Sequence, residues 1–376
     1  MGGRKRETAT WCPPAGQRPV TERPTATVSS RAAVASAARS RLIRRRLLKA
    51  FIASPAALWG CTPPDKATKS FTLRLSTVFP PHHPIIRCLA DCAARLHAAS
   101  GGRVHLQIFP AGALGSDADV LSQLRSGAVH FMTLSGLTAS MLSPVAAVSG
   151  VGFAFRDSAH VFSAMDGALG QLIRRSLQAH NLFAFPKILE NGFRQITTTD
   201  RVVNVPADME GLKIRVPPGT LWTTMFRAME AIPTTLSFAE TYTALQTRVV
   251  DGQENPLAVI SSANLQEVQH YCCMTSHMWD GCWLLANSDA FARFPPWLAQ
   301  SLHEEFERVA MESRRDVAAL NARLPDQLKR AGMHLSWPDR APFKAALRRD
   351  GFYRHWRNTF GESTWTVLES AVGPLA

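Results

Sequence analysis

No run of eighteen apolar residues occurs in the 376-residue sequence, so it offers no candidate for a membrane-spanning helix. Repeats at solenoid periods are absent too, which excludes a repeat array. There is no G-x-S-x-G elbow and no His/Cys cluster at metal-ligand spacing. Acidic residues are scarce at one end. Residues 1–60 hold twelve Lys/Arg against Glu7 and Glu22, which is +10 of the formal +13 and leaves +3 for the rest. A nearly neutral folded part argues against a nucleic-acid face and leaves room for a local positive pocket. Of seven cysteines, five lie beyond Cys12 and Cys61: Cys88, Cys92, Cys272, Cys273 and Cys282. An odd set is no disulfide framework, and Cys88 and Cys92 lie one helical turn apart, so packed free thiols are expected.

What is present begins with the leader. Residues 1–40 are rich in Arg, Ser, Thr, Pro and Ala without apolar period, a composition expected to be disordered. Then IRRRLLKAFIASPAALWGC (43–61) resembles a twin-arginine export signal, with Arg44, Arg45, Leu47, Leu48 and Lys49 ahead of a short apolar stretch. Leu58-Trp59-Gly60-Cys61 resembles a lipobox, with bulky Trp59 where small residues are usual. Export signals normally start near the initiator Met, so residues 1–38 are expected to reflect a start codon placed too far upstream.

At 46% hydrophobic, the chain is long enough for two ordinary domains. From residue 70, strand and helix patterns alternate. FTLRLSTVF (71–79) alternates like a half-buried strand, and 83–99 is amphipathic and stopped by Gly101-Gly102. VHLQIFP (104–110), a helix over 117–126 and AVHFMTLS (128–135) follow. A second set comprises LFAFPKILENGFRQITTT, the strand LKIRVPP (212–218), helices over 221–230 and 238–248 around an IPTTLS strand, and a helix over 258–269. Pro295-Pro296 opens a long helix, broken or kinked at Pro325 and able to lie across two lobes. From His334 a strand and two short helices are expected. The order predicts an α/β fold in two lobes with a ligand cleft between them.

Candidate residues are few. Arg215, in the apolar strand LKIRVPP, must be paired or presented to an anion, because a dry unpaired guanidinium is costly. A carboxylate fork and a structural salt bridge are both open readings. Arg194, between Phe193 and Ile196, has the same character; Glu254 is its expected partner, with His277 donating to Glu254 in a cluster that orients the site. The run VVDGQENP (249–256) reads as a β-branched strand, Val249-Val250, followed by an Asp251-Gly252 turn. Asn255, held extended by Pro256, would leave its side chain free for a ligand oxygen.

The run DMEGLKIRVPPG…LSFAETYTALQTRVVDGQENPL (208–257) resembles the solute-binding proteins of TRAP transporters, the tripartite ATP-independent periplasmic carriers of DctP type. GGRVHLQIFPAGALGSDADVLSQLRSGAVHF (101–131), VGFAF, NGFRQITT and LLANSDAF extend the likeness over roughly residues 70–320. The resemblance implies an α/β two-lobe periplasmic binding protein (type II-like), each lobe a mixed sheet flanked by helices, with a long helix spanning both. It implies a leader over 1–61, lobe I over 70–191 plus about 281–320, and lobe II over 192–280 plus about 321–376. By the same likeness, Arg215 pairs with the ligand carboxylate, Asn255 and Arg194 help, and Phe238 lines the pocket. Glu240 and Tyr242 belong to the same motif, where a helix-start acid and a packed tyrosine explain them equally well. Arg248 and Glu230 stand where glycine is usual, and Gly152 where proline is common.

The expected function is capture of a small organic acid by lobe closure, through contacts from the ends of strands 71–79 and 128–137 that bring in Thr77 and Ser135, and delivery to membrane-embedded transporter subunits. Trp279, with Trp283, suggests an apolar ligand body, although both equally suit a core. The chain is expected to be a periplasmic monomer that uses no cofactor, metal or nucleic acid. Two other classes stay open: a sensory binding protein serving a signalling receptor, and an exported enzyme drawing on Cys272, Cys273 or Ser135 and His82, His83 or His277.

Overall fold

The structure is a computed structural model and describes residues 69–375. The twin-arginine segment, the lipobox at Cys61 and the rest of 1–61 lie outside the described residues.

Local signals in the sequence set the first elements. In β1 (Phe71–Ser76), Leu73 and Leu75 are buried while Thr72 and Arg74 face solvent. Helix α1 (Pro84–Ala99) starts at His83, whose ring accepts the Ile85 N–H, and buries Ile85, Cys88, Leu89, Cys92 and Leu96 along one stripe. After β2 (Val104–Phe109), α2 (Asp117–Ser126) opens on a capping box between Ser116 and Asp119 and closes on left-handed Gly127. β3 (Phe131–Ser135), α3 (Gly136–Ala139), α4 (Ser158–Met165), α5 (Ala168–Gln178) and β4 (Leu182–Ala184) complete the first half.

Strand β5 (Leu189–Thr198) leads into β6 (Lys213–Val216), α6 (Thr220–Ala228), β7 (Ile232–Thr235), α7 (Phe238–Gln246), β8 (Gly252–Pro256) and α8 (Leu257–Ser262). Then come β9 (Tyr271–Cys273), β10 (Trp279–Asn287), α9 (Ser288–Ala292), α10 (Pro296–Asn321), α11 (Leu324–Arg330) and β11 (His334–Ser336). Three helices end the chain, α12 (Ala341–Asp350), α13 (Phe352–Phe360) and α14 (Glu362–Val372), where two were expected.

The strands run in the order β2-β1-β3-β10-β5-β8-β6-β7, with β4 beside β10 and the β9–β11 pair beside β5. Pairing is parallel among β1, β2 and β3 and among β6, β7 and β8, and antiparallel where β5 and β10 cross between the two sets. Both lobes are therefore mixed sheets. On the β10 side, β5 pairs from Leu189 to Phe193; on the β8 side it pairs from Arg194 onward. The β5–β10 register shifts between Asp280 and Gly281. Helix α10, 26 residues and so about 39 Å long, buries Leu298, Leu302 and Phe306 in the core of α1 and β1, and Val317 in that of α8 and α11. It spans both lobes.

One local reading needs correction. Val249-Val250 is not a strand: the N–H groups of both residues donate back to Ala244 at the end of α7, and Val249 is exposed. The strand is the polar run itself, Gly252–Pro256, buried at every residue between β5 and β6. Gly252 is required there, because a Cβ would sit 2.4 Å from the Thr197 carbonyl oxygen. β-propensity points to the valines, but a fully bonded polar network lets the poor strand former occupy the sheet centre. In it Gln253 donates to Thr197 at 2.8 Å and Thr197 to Gln269 at 2.9 Å. Arg248 (φ 57°) and Glu230 (φ 71°) are both left-handed, as the glycines they replace would be.

Candidate functional site

A cavity of about 390 Å³ opens at the carboxyl ends of β1, β3 and β6, with walls from both lobes. Val78, Phe79 and Pro80 follow β1, Ser135 ends β3, and Pro217 and Pro218 follow β6. The first residues of α2 and α7, Asp117 and Phe238, also face it. This is where strand direction gathers loop ends and helix N-termini in open α/β sheets.

Arg215 lies in the cavity wall at 1% exposure. Its Nε and Nη2 both donate to the Leu236 carbonyl oxygen, at 3.1 and 2.8 Å. Nη1 has no partner, and no carboxylate comes within ion-pair distance among the described residues. Burial pushes the guanidinium below its ordinary value; Glu254 opposes this, and the neighbouring Arg194 adds to it. The Phe238 ring lies 5.8 Å from its charge centre. The side chain is thus held in place along one edge and presents a bare donor along the other.

Every nitrogen of Arg194 is bonded. Nε donates to Glu254 Oε2 at 2.5 Å, Nη2 to Oε1 at 2.8 Å, Nη1 to Asp280 Oδ2 at 2.8 Å, and Nη2 also reaches Asn255 Oδ1 at 3.0 Å. His277 Nε2 lies 3.2 Å from Glu254, while Nδ1 faces the Thr275 hydroxyl at 2.8 Å. Burial holds His277 neutral, so it donates to Glu254. Burial alone would raise the Glu254 carboxyl, but Arg194 and His277 hold it below the usual carboxylate range. Arg194, Glu254 and His277 therefore form one cluster behind the cavity wall, of which only Arg194 reaches the cavity.

The remaining predicted residues divide. Ser135 lines the cavity and donates to Asp280 Oδ1 at 2.6 Å. Asn255 lines it as well, but its side chain is not free: Nδ2 donates to Gln253 Oε1 at 2.5 Å and Oδ1 accepts from Arg194. Thr77 is buried outside the cavity lining, its hydroxyl engaged by Thr133 at 2.6 Å and by the Phe79 N–H. Trp279 is a core residue, its ring against Phe162 and its Nε1 donating to Glu190 at 2.8 Å. The five cysteines in the described residues are buried free thiols.

Sequence reasoning missed Asp117, Asn191, Trp222 and Asp280, all in the cavity wall. Asp280 is buried between Arg194, Ser135 and Asn191; burial raises its carboxyl although Arg194 opposes this. Asp117 carries no hydrogen bond to its carboxylate among the described residues, and burial pushes it up to about 6, with Arg215 drawing it down and Asp280 pushing it up. The Trp222 Nε1 and Asn191 Oδ1 are buried without partners among the described residues. The available signals were the acid in the apolar stretch MWDGCW and the surplus acid in GSDAD, where Asp119 alone serves the cap.

Residues 75–353 match the family described as bacterial extracellular solute-binding protein, family 7. Over 256 residues the chain is 32% identical to the 2,3-diketo-L-gulonate-binding periplasmic protein of Escherichia coli (strain K12), covering 67% of this chain and 77% of that one. Its fold matches a TRAP periplasmic solute binding protein from Roseobacter denitrificans with bound β-D-glucuronate, at TM-score 0.75 and 26% identity, over 81% of this chain and 99% of the other. A second such protein, from Polaromonas sp. JS666 and bound to D-erythronate, matches at TM-score 0.76 and 25% identity, over 80% and 99% of the two chains.

Proposed function

The chain belongs to family 7 of the bacterial extracellular solute-binding proteins, and we propose on that premise that its cleft captures a small organic acid with Arg215 as the carboxylate anchor. It is a solute-binding protein of the TRAP, DctP type. The observation that carries the anchor is the Nη1 of a guanidinium 1% exposed, in the cavity, with neither a hydrogen-bond partner nor an ion-paired acid among the described residues. A buried cation without a counter-charge is costly, and a ligand carboxylate removes that cost. The N-termini of α2 and α7 also open at the cavity, with Asp117, Asp119 and Glu240 in their first turns offsetting the helix field. Relatives bound to sugar acids fit the same chemistry.

Capture proceeds by closure of the two lobes, with 70–191 and about 281–320 forming one and 192–280 with about 321–376 the other. β5 and β10 supply the crossing at which they flex. The closed form excludes water, which strengthens the carboxylate contact, and passes the acid to membrane-embedded transporter subunits. Closure is driven only as far as the closed state binds the anion better than the open one. Behind the wall, Glu254 and His277 hold Arg194 and Asn255 in position and carry out no chemistry.

Export by the twin-arginine leader, with processing ahead of Cys61, places the protein outside the cytoplasm. Mass analysis of the N-terminus of the exported protein checks this; a mature chain that retains Arg44 and Arg45 contradicts it. For the anchor, titration calorimetry on protein lacking residues 1–61, using acids selected by thermal shift from oxo, hydroxy and sugar acids, compares wild type with Arg215→Ala. A charge-assisted fork contributes about 1.5–3 kcal/mol, so affinity should fall about tenfold to a few hundredfold. Unchanged affinity contradicts the assignment.

A further inference from the structure

The fixed charges at the cavity are not those of a site for an anion alone. Two guanidiniums reach its wall, Arg194 and Arg215, and so do two carboxylates, Asp117 and Asp280. A third acid, Glu254, lies behind the wall on Arg194. With all three acids ionised against two guanidiniums, the group has a net charge of −1 before a ligand enters. Glu254 and Asp280 hold Arg194, at 2.5 and 2.8 Å. That leaves Asp117 and Arg215, which no ion pair joins among the described residues. Asp117 is half-buried at the first turn of α2. On its own helix, Asp119 is engaged by Ser116. Of the strands against α2, β3 offers the Ser135 hydroxyl, and β10 offers Asp280 and the Cys282 thiol. Glu240 of α7, engaged by Ser237, and Arg215 of β6 stand on the other lobe. Burial pushes the Asp117 carboxyl up to about 6, while Arg215 draws it down and Asp280 pushes it up.

An incoming carboxylate shifts this balance in one direction. It neutralises Arg215, the charge that draws Asp117 down, and closure then removes water from around the wall. Both changes raise the affinity of Asp117 for a proton. We propose that the cleft captures its organic acid together with a proton, the anion on Arg215 and the proton on Asp117. This rests on the reading of Arg215 as the carboxylate anchor. The proton comes from the solvent and forms the O–H bond of the Asp117 carboxyl, so anion and proton enter with no net charge. The other two acids are held ionised by their partners. Arg194 and His277 keep Glu254 below the usual carboxylate range. Asp280 accepts from Arg194, Ser135 and Asn191, and a proton there would turn one of those donors away. Linkage fixes the sign: where binding takes up a proton, affinity rises as pH falls, between the Asp117 values with and without ligand. One other acid titrates nearby. Glu190, outside the cavity lining and bonded to Trp279, is pushed up by burial to about 7.

The test counts protons. Calorimetry with D-erythronate, D-glucuronate and pyruvate, each ionised above about pH 6, is run from about pH 6 to 8.5 in buffers of different ionisation enthalpy. The dependence of the heat on the buffer gives the protons taken up per ligand. A unit charge about 10 Å away, at a protein's effective dielectric, moves a carboxyl's titration by about one pH unit. An acid that binds should therefore take up about half a proton near pH 6.5, and its affinity should fall about tenfold from pH 6 to 8.5. Asp117→Asn should take up none and keep, across that range, about the affinity wild type shows at pH 6. Glu190→Gln, which retains an acceptor for Trp279, should behave as wild type does. Thermal unfolding without ligand confirms that each variant folds. Binding without proton uptake, a pH profile unmoved by Asp117→Asn, or uptake lost in Glu190→Gln overturns the proposal. The wild-type buffer series decides it even where Asp117→Asn does not fold. Failure of the anchor is a separate result, in which Arg215→Ala binds the acid as wild type does, whatever the proton count. No binding by any of the three acids counts against both.

Discussion

Two arginines on strands either side of β8, Arg194 on β5 and Arg215 on β6, look alike in sequence and differ in the fold. Each sits in an apolar strand segment and each is no more than 2% exposed. Arg194 spends its donors on Glu254, Asp280 and Asn255, and its pKa stays above the ordinary value despite burial. Arg215 shares one backbone oxygen between two nitrogens, leaves the third bare, and is pulled down by burial. The difference separates a group that holds the protein together from one held by the protein for something else. A buried ion network resists loss of a member; a buried uncompensated cation does not depend on itself for stability.

The comparison can be broken at either end. The largest effect is expected for Arg194→Ala, which strands Glu254 and Asp280 in the interior. Denaturant unfolding should show a loss of about 3–5 kcal/mol, and a variant as stable as wild type would remove the structural half of the contrast. Arg215→Ala is expected to unfold within about 1 kcal/mol of wild type, since it gives up one shared hydrogen bond and an unpaired charge, while its anion affinity falls as described above. A collapse in stability there would make the two arginines equivalent. The smallest effect sharpens the background. Arg248→Gly relieves a left-handed residue costing about 1–2 kcal/mol and gives up an exposed ion pair with Asp200 worth about 0–1 kcal/mol. A gain of about 1 kcal/mol is expected, with ligand affinity unchanged because Arg248 lies outside the cavity lining.

The contrast also shows what a sequence discloses. The α/β alternation, the capped start of α2 and the long α10 are readable because their signals are local: period, cap and punctuation. Arg215 and the Arg194–Glu254–His277 group are readable because charge in an apolar strand demands a partner. Side-chain direction near strand ends is less accessible. Trp279 and Asp280 are neighbours on β10 and point to opposite faces, and the faces are fixed by pairing with β5 and β3, which the sequence does not print. The tryptophan was the visible candidate, and the aspartate is the one in the cavity wall. Thr77 fails for a related reason: β1 stops at Ser76, and the turn that follows directs the hydroxyl to Thr133 and sends Val78 and Phe79 to the cavity. The polar strand β8 was hidden because its stability comes from partners on β5 and at Gln269, far away in sequence.

A crystal structure of the protein with a bound acid from the calorimetric panel would test the Arg215 assignment most directly. A ligand carboxylate oxygen at about 2.7–2.9 Å from Arg215 Nη1, with Arg194 still on Glu254 and Asp280, is the predicted result. A carboxylate seated elsewhere in the cavity, or Arg215 turned onto an internal acid while the ligand is bound, would contradict it.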